Sequence, residues 1–394
     1  MTTTLTLGEV TITRVVEIGR STFPTASMLP ASTPEAIARH HGWLKPDFWD
    51  ETTDDLGSRI GTWIVRTPEH LVLVDTGVGN DKRRDGNPVW NMRQGTFLDD
   101  LKAVGVTPEQ VDVVVITHMH VDHVGWNTRL VNGRWVPTFP NARYVVGGEE
   151  WSFWMHESER GGDEYGCIDD SVAPVVAAGQ AQLVDHDHGI DRWLRFEPSL
   201  GHTPGHASVR LTTRAGDAVF SGDLMHRVVQ VAEPQWSSRF CYDAAQAATT
   251  RREFVERHAD SGTLILPAHF PRPGYIIRTD TGFLLLHELA VLLHRSTAAV
   301  RELRRGLAAL RALEHVRHRL PPPPATGRSA LSGRSSFRAK RNMRDFERWS
   351  SRWRASCPVG AILSAHIARG GLRSNHGRAA SSWAASRKSV ASSP

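Results

Sequence analysis

The run Thr117-His118-Met119-His120-Val121-Asp122-His123 packs three imidazoles and a carboxylate into six positions, an H-x-H-x-D-H pattern. His206 follows in Gly201-His202-Thr203-Pro204-Gly205-His206, Asp223 in Ser221-Gly222-Asp223 and His269 in Pro267-Ala268-His269. Imidazole and carboxylate are ligands that suit zinc and its neighbours, and manganese, iron or cobalt also accept mixed nitrogen and oxygen donors. Seven such groups are too many for one tetrahedral ion and enough for two ions that share a carboxylate. Two divalent ions about 3.5–4 Å apart can share a water, clamp an attacking oxygen and polarise a carbonyl or phosphoryl group. They also lower the pKa of that water to about 7, so hydrolysis needs no side-chain nucleophile.

Such groups must be held at fixed positions. Short β-branched runs at Val10–Val16, Thr62–Arg66, Leu71–Val74, Val111–Ile116, Arg143–Val146, Val209–Thr212, Ala218–Phe220 and Thr263–Leu266 predict strands. Helices are predicted over Gly95–Ala103, Glu149–Glu157 and Asp243–His258, the last with Asp243 as N-cap and Ala247, Thr250, Phe254 and Val255 on one face. Strands and helices interleaved at this spacing indicate a layered α/β domain. Val111–Ile116 runs into the His118 cluster, Ala218–Phe220 into Asp223 and Thr263–Leu266 into His269. Strand exits along one sheet edge bring distant residues together on rigid backbone.

The net charge of +5 averages two unlike parts: −11 over residues 1–280 and +16 over residues 281–394. The part with the chemistry is acidic, which argues against nucleic acid or an anionic membrane as its partner. Phe283 to Leu320 is rich in Leu, Ala and Arg, with Val300, Leu303, Leu307 and Leu310 at helical spacing before Pro321–Pro324. Beyond lies a basic low-complexity tail for which disorder is the default. A polyanion-binding arm, a dimer contact through the Leu-rich helix and an out-of-frame translation after Gly282 are the competing readings of this region. Three scattered cysteines, Cys167, Cys241 and Cys357, fit neither a disulfide framework nor a thiolate metal cluster. The first ten residues lack a basic patch followed by an apolar run, and the longest apolar stretch is too short to span a bilayer, so the expectation is a cytoplasmic protein.

The ordered set of five elements resembles the metallo-β-lactamase superfamily over residues 5–280, with 17 positions from His206 to Asp223 and 46 from Asp223 to His269. The resemblance implies an α+β fold, an αββα four-layer sandwich of two face-to-face sheets with helices outside. A hydrolase domain would span 1–282, followed by a helical segment 283–320 and the tail 321–394. The resemblance further implies that His118, His120 and His206 hold one ion, that Asp122, His123 and His269 hold the other, and that Asp223 bridges both, with zinc the favoured metal. Asp75, Thr117 and His202 match positions that orient ligands from behind. Asp122 is assigned a catalytic role. His226 stands where lactonases of the superfamily often carry a substrate-touching tyrosine, and donating to an oxyanion or a leaving group is one reading of it. Trp126, Trp151, Trp236 and Phe240 are expected to line the substrate pocket, and Phe153 and Trp154 to be core.

Within the superfamily, class B β-lactamases usually have cysteine at the Asp223 position, and flavodiiron members carry a flavodoxin domain. Gly125-Trp126-Asn127 through Phe139-Pro140-Asn141-Ala142-Arg143-Tyr144, and Gly222-Asp223-Leu224-Met225-His226 through Gln230-Val231-Ala232-Glu233-Pro234, resemble the lactonase and methyl-parathion-hydrolase-like branch. The implied activity is cleavage of an ester-like bond in a small apolar-tailed substrate, a lactone such as an acyl-homoserine lactone or a phosphotriester. The alternatives are a glyoxalase-II-like thioesterase, whose glutathione-binding region is not found, and a non-enzymatic metal-binding or interaction protein. The oligomeric state is left open by the sequence; one reading is a homodimer with Pro24–Trp49 as an arm exchanged over a neighbour's site.

Overall fold

The computed structural model describes residues 4–163 and 165–287. The predicted helix beyond His287, the proline run and the basic tail lie outside the described residues.

Two sheets make the centre. In the first, β1 (Thr4–Leu7), β2 (Val10–Ile18), β3 (Ile60–Arg66), β4 (Leu71–Val74), β5 (Val113–Ile116), β6 (Arg143–Gly147) and β7 (Ala181–Val184) lie side by side in chain order. The pairs up to β3–β4 are antiparallel, and those from β4–β5 onward are parallel. The second sheet has β8 (Leu194–Pro198), β9 (Ala207–Thr213), β10 (Gly216–Phe220) and β11 (Leu264–Leu266) in that order. Only its last pair, β10–β11, is parallel. Parallel neighbours are buried on both faces, which is why β4, β5 and β11 read as unbroken apolar runs.

Alternation sorts the side chains into layers. On β3, Ile60 and Ile64 join a core with Phe97 and Leu101 of α1 (Phe97–Ala103), Trp154 of α3 (Gly148–Glu159) and Val175 of α4 (Ala173–Ala177); α2 (Val121–Val124) lies between α1 and α3 in the chain. Trp63, one position before Ile64, points the other way, to the ring of Phe220 on β10 and the carbonyl of Pro267. The second sheet presents Val219 and Ile265 to Phe254 and Val255 of α5 (Ala244–His258). The layers are therefore helix, sheet, sheet, helix. The Asp243 carboxylate caps α5 by accepting from the backbone N–H groups of Ala245 and Gln246.

One expectation is corrected here. Phe283 to Leu286 do not begin a helix; they belong to β13 (Gly282–Leu286), antiparallel to β12 (Tyr275–Thr279). Leucine is at home in either element, and pairing with a partner strand overrides its helical preference. Pro24–Trp49 contributes Met28, Leu29, Ile37, Leu44 and Phe48 to the second core.

Candidate metal centre

The tight chain after β5 places His118, His120, Asp122 and His123 within one turn, the last two on α2. His202 comes from the β8–β9 loop, Asp223 from just past β10 and His269 from just past β11. The first sheet thus supplies four of these groups and the second supplies three.

Their atoms converge into two clusters. In the first, His202 Nε2 lies 2.8 Å from His120 Nδ1, 3.2 Å from His118 Nε2 and 3.4 Å from Asp223 Oδ2. In the second, His123 Nε2 lies 3.7 Å from Asp122 Oδ1, and His269 Nε2 lies 3.7 Å from Asp122 Oδ2. Asp223 Oδ1 is 2.8 Å from His269 Nε2 and 3.2 Å from His123 Nε2. One carboxylate therefore gives one oxygen to each cluster.

This arrangement fits divalent ions on its own chemistry. His123 Nε2 and Asp223 Oδ1 are buried without a hydrogen bond of sound geometry, although they sit close together. Buried polar atoms left in that condition are costly unless a further group satisfies them. The donor sets, three imidazoles with a carboxylate oxygen and two imidazoles with two carboxylates, match borderline divalent cations.

Electrostatics separate the clusters. Burial, then the neighbouring His123, drives His118 well below the usual imidazole range, and burial takes His120 down to about 3. Burial and His120 likewise hold His202 well below that range. These rings are neutral, with lone pairs available. Burial also opposes a charge on His123 and His269, but the surrounding carboxylates, Asp223 foremost, together outweigh it and raise both. Asp223 itself is held well below the carboxylate range: burial works the other way and is overcome by His123, His269 and His226.

The outer nitrogens are tied down. His123 Nδ1 lies 2.9 Å from Asp75 Oδ2, and His269 Nδ1 lies 3.0 Å from the Arg59 carbonyl. The Thr117 hydroxyl donates to Asp75 Oδ2 at 2.9 Å and lies 3.1 Å from His118 Nδ1. Asp75 stands at φ 57° directly after β4, a turn that aims its carboxylate back across the strand exits.

His206 and His202 exchange places relative to expectation. His206 is not in either cluster. Its Nε2 accepts the backbone N–H of Asp223 at 2.9 Å, and its Nδ1 is held by Ser199. A buried N–H requires an acceptor, and that requirement consumes the imidazole. His202, expected to act from behind, instead brings its Nε2 into the first cluster.

The pocket aromatics are also corrected. A cavity of about 130 Å³ opens onto His120, Asp122, Asp223, His226 and His269. Its apolar wall is Phe23, Met28, Ile60, Trp90, Trp154 and Phe240. Of the four expected residues, Phe240 lines it. Trp126 is stacked on Phe97 and donates to Glu17, Trp151 packs on the first core and Trp236 is buried in the second. Trp154 serves both core and cavity wall, and Phe153 packs between Trp154 and Tyr242. His226 is buried, with Nε2 3.1 Å from Asp223 Oδ2 and its ring stacked 5.5 Å from that of His269.

Glu150 was not anticipated. Its Oε1 accepts from the Met119 N–H and Trp154 Nε1, and its Oε2 from the Thr203 hydroxyl and the Gly205 N–H. It thereby joins the His118 loop to the His202 loop. Gly205 has no room for a Cβ, which would overlap the Glu150 backbone. An acidic residue opening a helix reads in sequence as a dipole-favoured surface group, so nothing local marked it.

The sequence pattern of the Metallo-beta-lactamase superfamily matches residues 60–269, more than half of the chain. The chain belongs to the metallo-beta-lactamase superfamily. Among its superfamily relatives, an N-acyl homoserine lactonase from Bacillus sp. is 24% identical over 168 residues, 40% of this chain and 60% of that protein. The chain thus spans 60% of the length of that curated relative. The crystal structure of hydrolase AbOPH in the beta lactamase superfamily superposes with a TM-score of 0.60 at 26% identity, covering 72% of this chain and 96% of that one. AidC, a dizinc quorum-quenching lactonase in complex with a product, shares the fold at TM-score 0.57 and 21% identity over the same shares of the two chains.

Proposed function

We propose that this chain is a metal-dependent hydrolase of ester-like bonds, acting on a lactone such as an acyl-homoserine lactone or on a phosphotriester. The observation that carries this reading is the division of Asp223, one oxygen to each of two donor clusters, at the floor of a cavity with an apolar wall. In this reading His118, His120 and His202 hold one divalent ion, Asp122, His123 and His269 hold a second, and Asp223 joins them, with zinc the favoured metal. When bound, such ions supply Lewis acidity and lower the pKa of water to about 7.

The chain's own residues supply the rest. Phe23, Met28 and Phe240 hold an apolar tail and exclude water from one side of the reacting bond. His226 faces the cavity beside Asp223, where its ring can donate to a substrate oxygen that gains charge. Asp122 also faces the cavity, and its carboxylate can take the proton that the attacking water gives up and hand it to the departing oxygen as the carbon–oxygen or phosphorus–oxygen bond breaks. Water adds across that bond, so the oxygen that leaves ends protonated.

The test is metal analysis of the purified chain coupled to a hydrolysis panel of lactones, phosphotriesters, S-lactoylglutathione and a cephalosporin. The expected result is two ions per chain with turnover of a lactone or phosphotriester. Turnover of the glutathione thioester alone would replace this reading with a thioesterase, and fewer than two ions in excess metal would remove it.

A further inference from the structure

Three imidazoles of the two clusters lean on oxygen behind the site: His118 on Thr117, His123 on Asp75 and His269 on the Arg59 carbonyl. His202 leans on sulfur. Its Nδ1 lies 3.7 Å from Cys241 Sγ, while its Nε2 faces the cluster. A ring that offers Nε2 to a cation carries its proton on Nδ1, so the N–H donates and the sulfur accepts.

The contact is fixed from both sides. The Tyr242 N–H donates to the His202 carbonyl and the Asp243 N–H to the Gly201 carbonyl, each at 2.9 Å, so the two segments run bonded together. Arg251 of α5 stands on the other flank. Its Nε and Nη1 bind the carbonyls of Leu224, Pro234 and Trp236, and its buried Nη2 has no hydrogen-bond partner. Burial raises the Cys241 thiol, and the Arg251 guanidinium opposes that rise.

We propose that Cys241 is the positioning residue for His202, and that it makes the ion held by His118, His120 and His202 the more easily exchanged of the pair. Partners behind a ligating imidazole fix its tautomer and orientation, and their loss typically weakens metal binding about 10- to 100-fold. Sulfur is a weak acceptor, so this ring is held less firmly than those backed by a carboxylate or a carbonyl. The inference rests on the two-ion reading above and adds an asymmetry to it.

The experiment is metal binding by the full chain, with a chromophoric chelator competing for Zn2+ and visible spectra recorded on Co2+ addition. The wild type should take up two equivalents of unequal affinity. Cys241→Ala should weaken only the weaker equivalent, by about tenfold, and shift the cobalt spectrum of that step. Cys241→Asp, which restores a strong acceptor, should bring it back to wild-type affinity or beyond, and it keeps the test readable where the alanine variant is unstable. Unchanged affinities in Cys241→Ala, or equal weakening of both equivalents, overturn the proposal while leaving two-ion binding intact. A wild type that binds fewer than two ions overturns both readings.

Discussion

At the scale of single residues, the informative pair is His202 and His206. Both sit in one six-residue segment, both are buried, and their types and spacing make them equivalent candidates. What separates them is a backbone N–H 17 positions beyond His206: Asp223 needs an acceptor, and His206 is within reach. No spacing rule encodes that. The remaining ligand-type residues were legible because each follows a strong apolar strand. Glu150 and Cys241 were not, because their roles exist only across loops distant in sequence. We expect His202→Ala to lose one bound ion per chain. His206→Ala should keep two and lose about 1–3 kcal/mol of stability from the orphaned N–H. Metal stoichiometry and urea denaturation of the two variants check this, and metal loss confined to His206→Ala would reverse the assignment.

At the scale of elements, buried strands announced themselves and half-exposed ones did not. β4, β5 and β11 are apolar throughout. β1 is threonine-rich and exposed on alternate positions, β7 holds no fully buried residue and β8 alternates around Arg195 and Glu197. Such sequences suit a sheet edge and resemble loops. α5 offers a pH test at a site away from the metal cluster. Burial lowers His258 at its C-terminus to about 4, reinforced by Arg210 and Arg257 and opposed by Glu197. The ring packs 4.5 Å from that of Phe254. The unfolded imidazole binds a proton near 6.5 and the folded one near 4, so this contribution is intact above 6.5 and is lost as pH falls towards 4. The loss at pH 4 is about 2–3 kcal/mol. His258→Leu should flatten the stability profile by that amount between pH 6.5 and 4, measured by urea denaturation at each pH; a parallel profile would show that His258 does not titrate this way.

At the scale of the whole molecule, the two sheets differ in how they close. The second core includes Ile276 of β12 and Leu285 of β13, so the fold reaches past Gly282, where the composition changes. A chain ended after His287 should fold cooperatively, whereas one ended after Thr281 loses β13 and exposes that core. Thermal unfolding followed by circular dichroism distinguishes them, and equal melting temperatures would show that β13 is dispensable.

The donors of each cluster are drawn from both sheets: His118 and His120 meet His202, and Asp122 and His123 meet His269. Ions seated there would rivet one half of the sandwich to the other. Saturation at a hundred times the dissociation constant adds about 2.7 kcal/mol per independent site. Stripping the protein with a chelator should therefore lower its melting temperature by several degrees, reversibly on adding Zn2+, and an unmoved transition would argue against the rivet. Availability of metal in the surroundings would then govern not only turnover but how long each copy survives proteolysis.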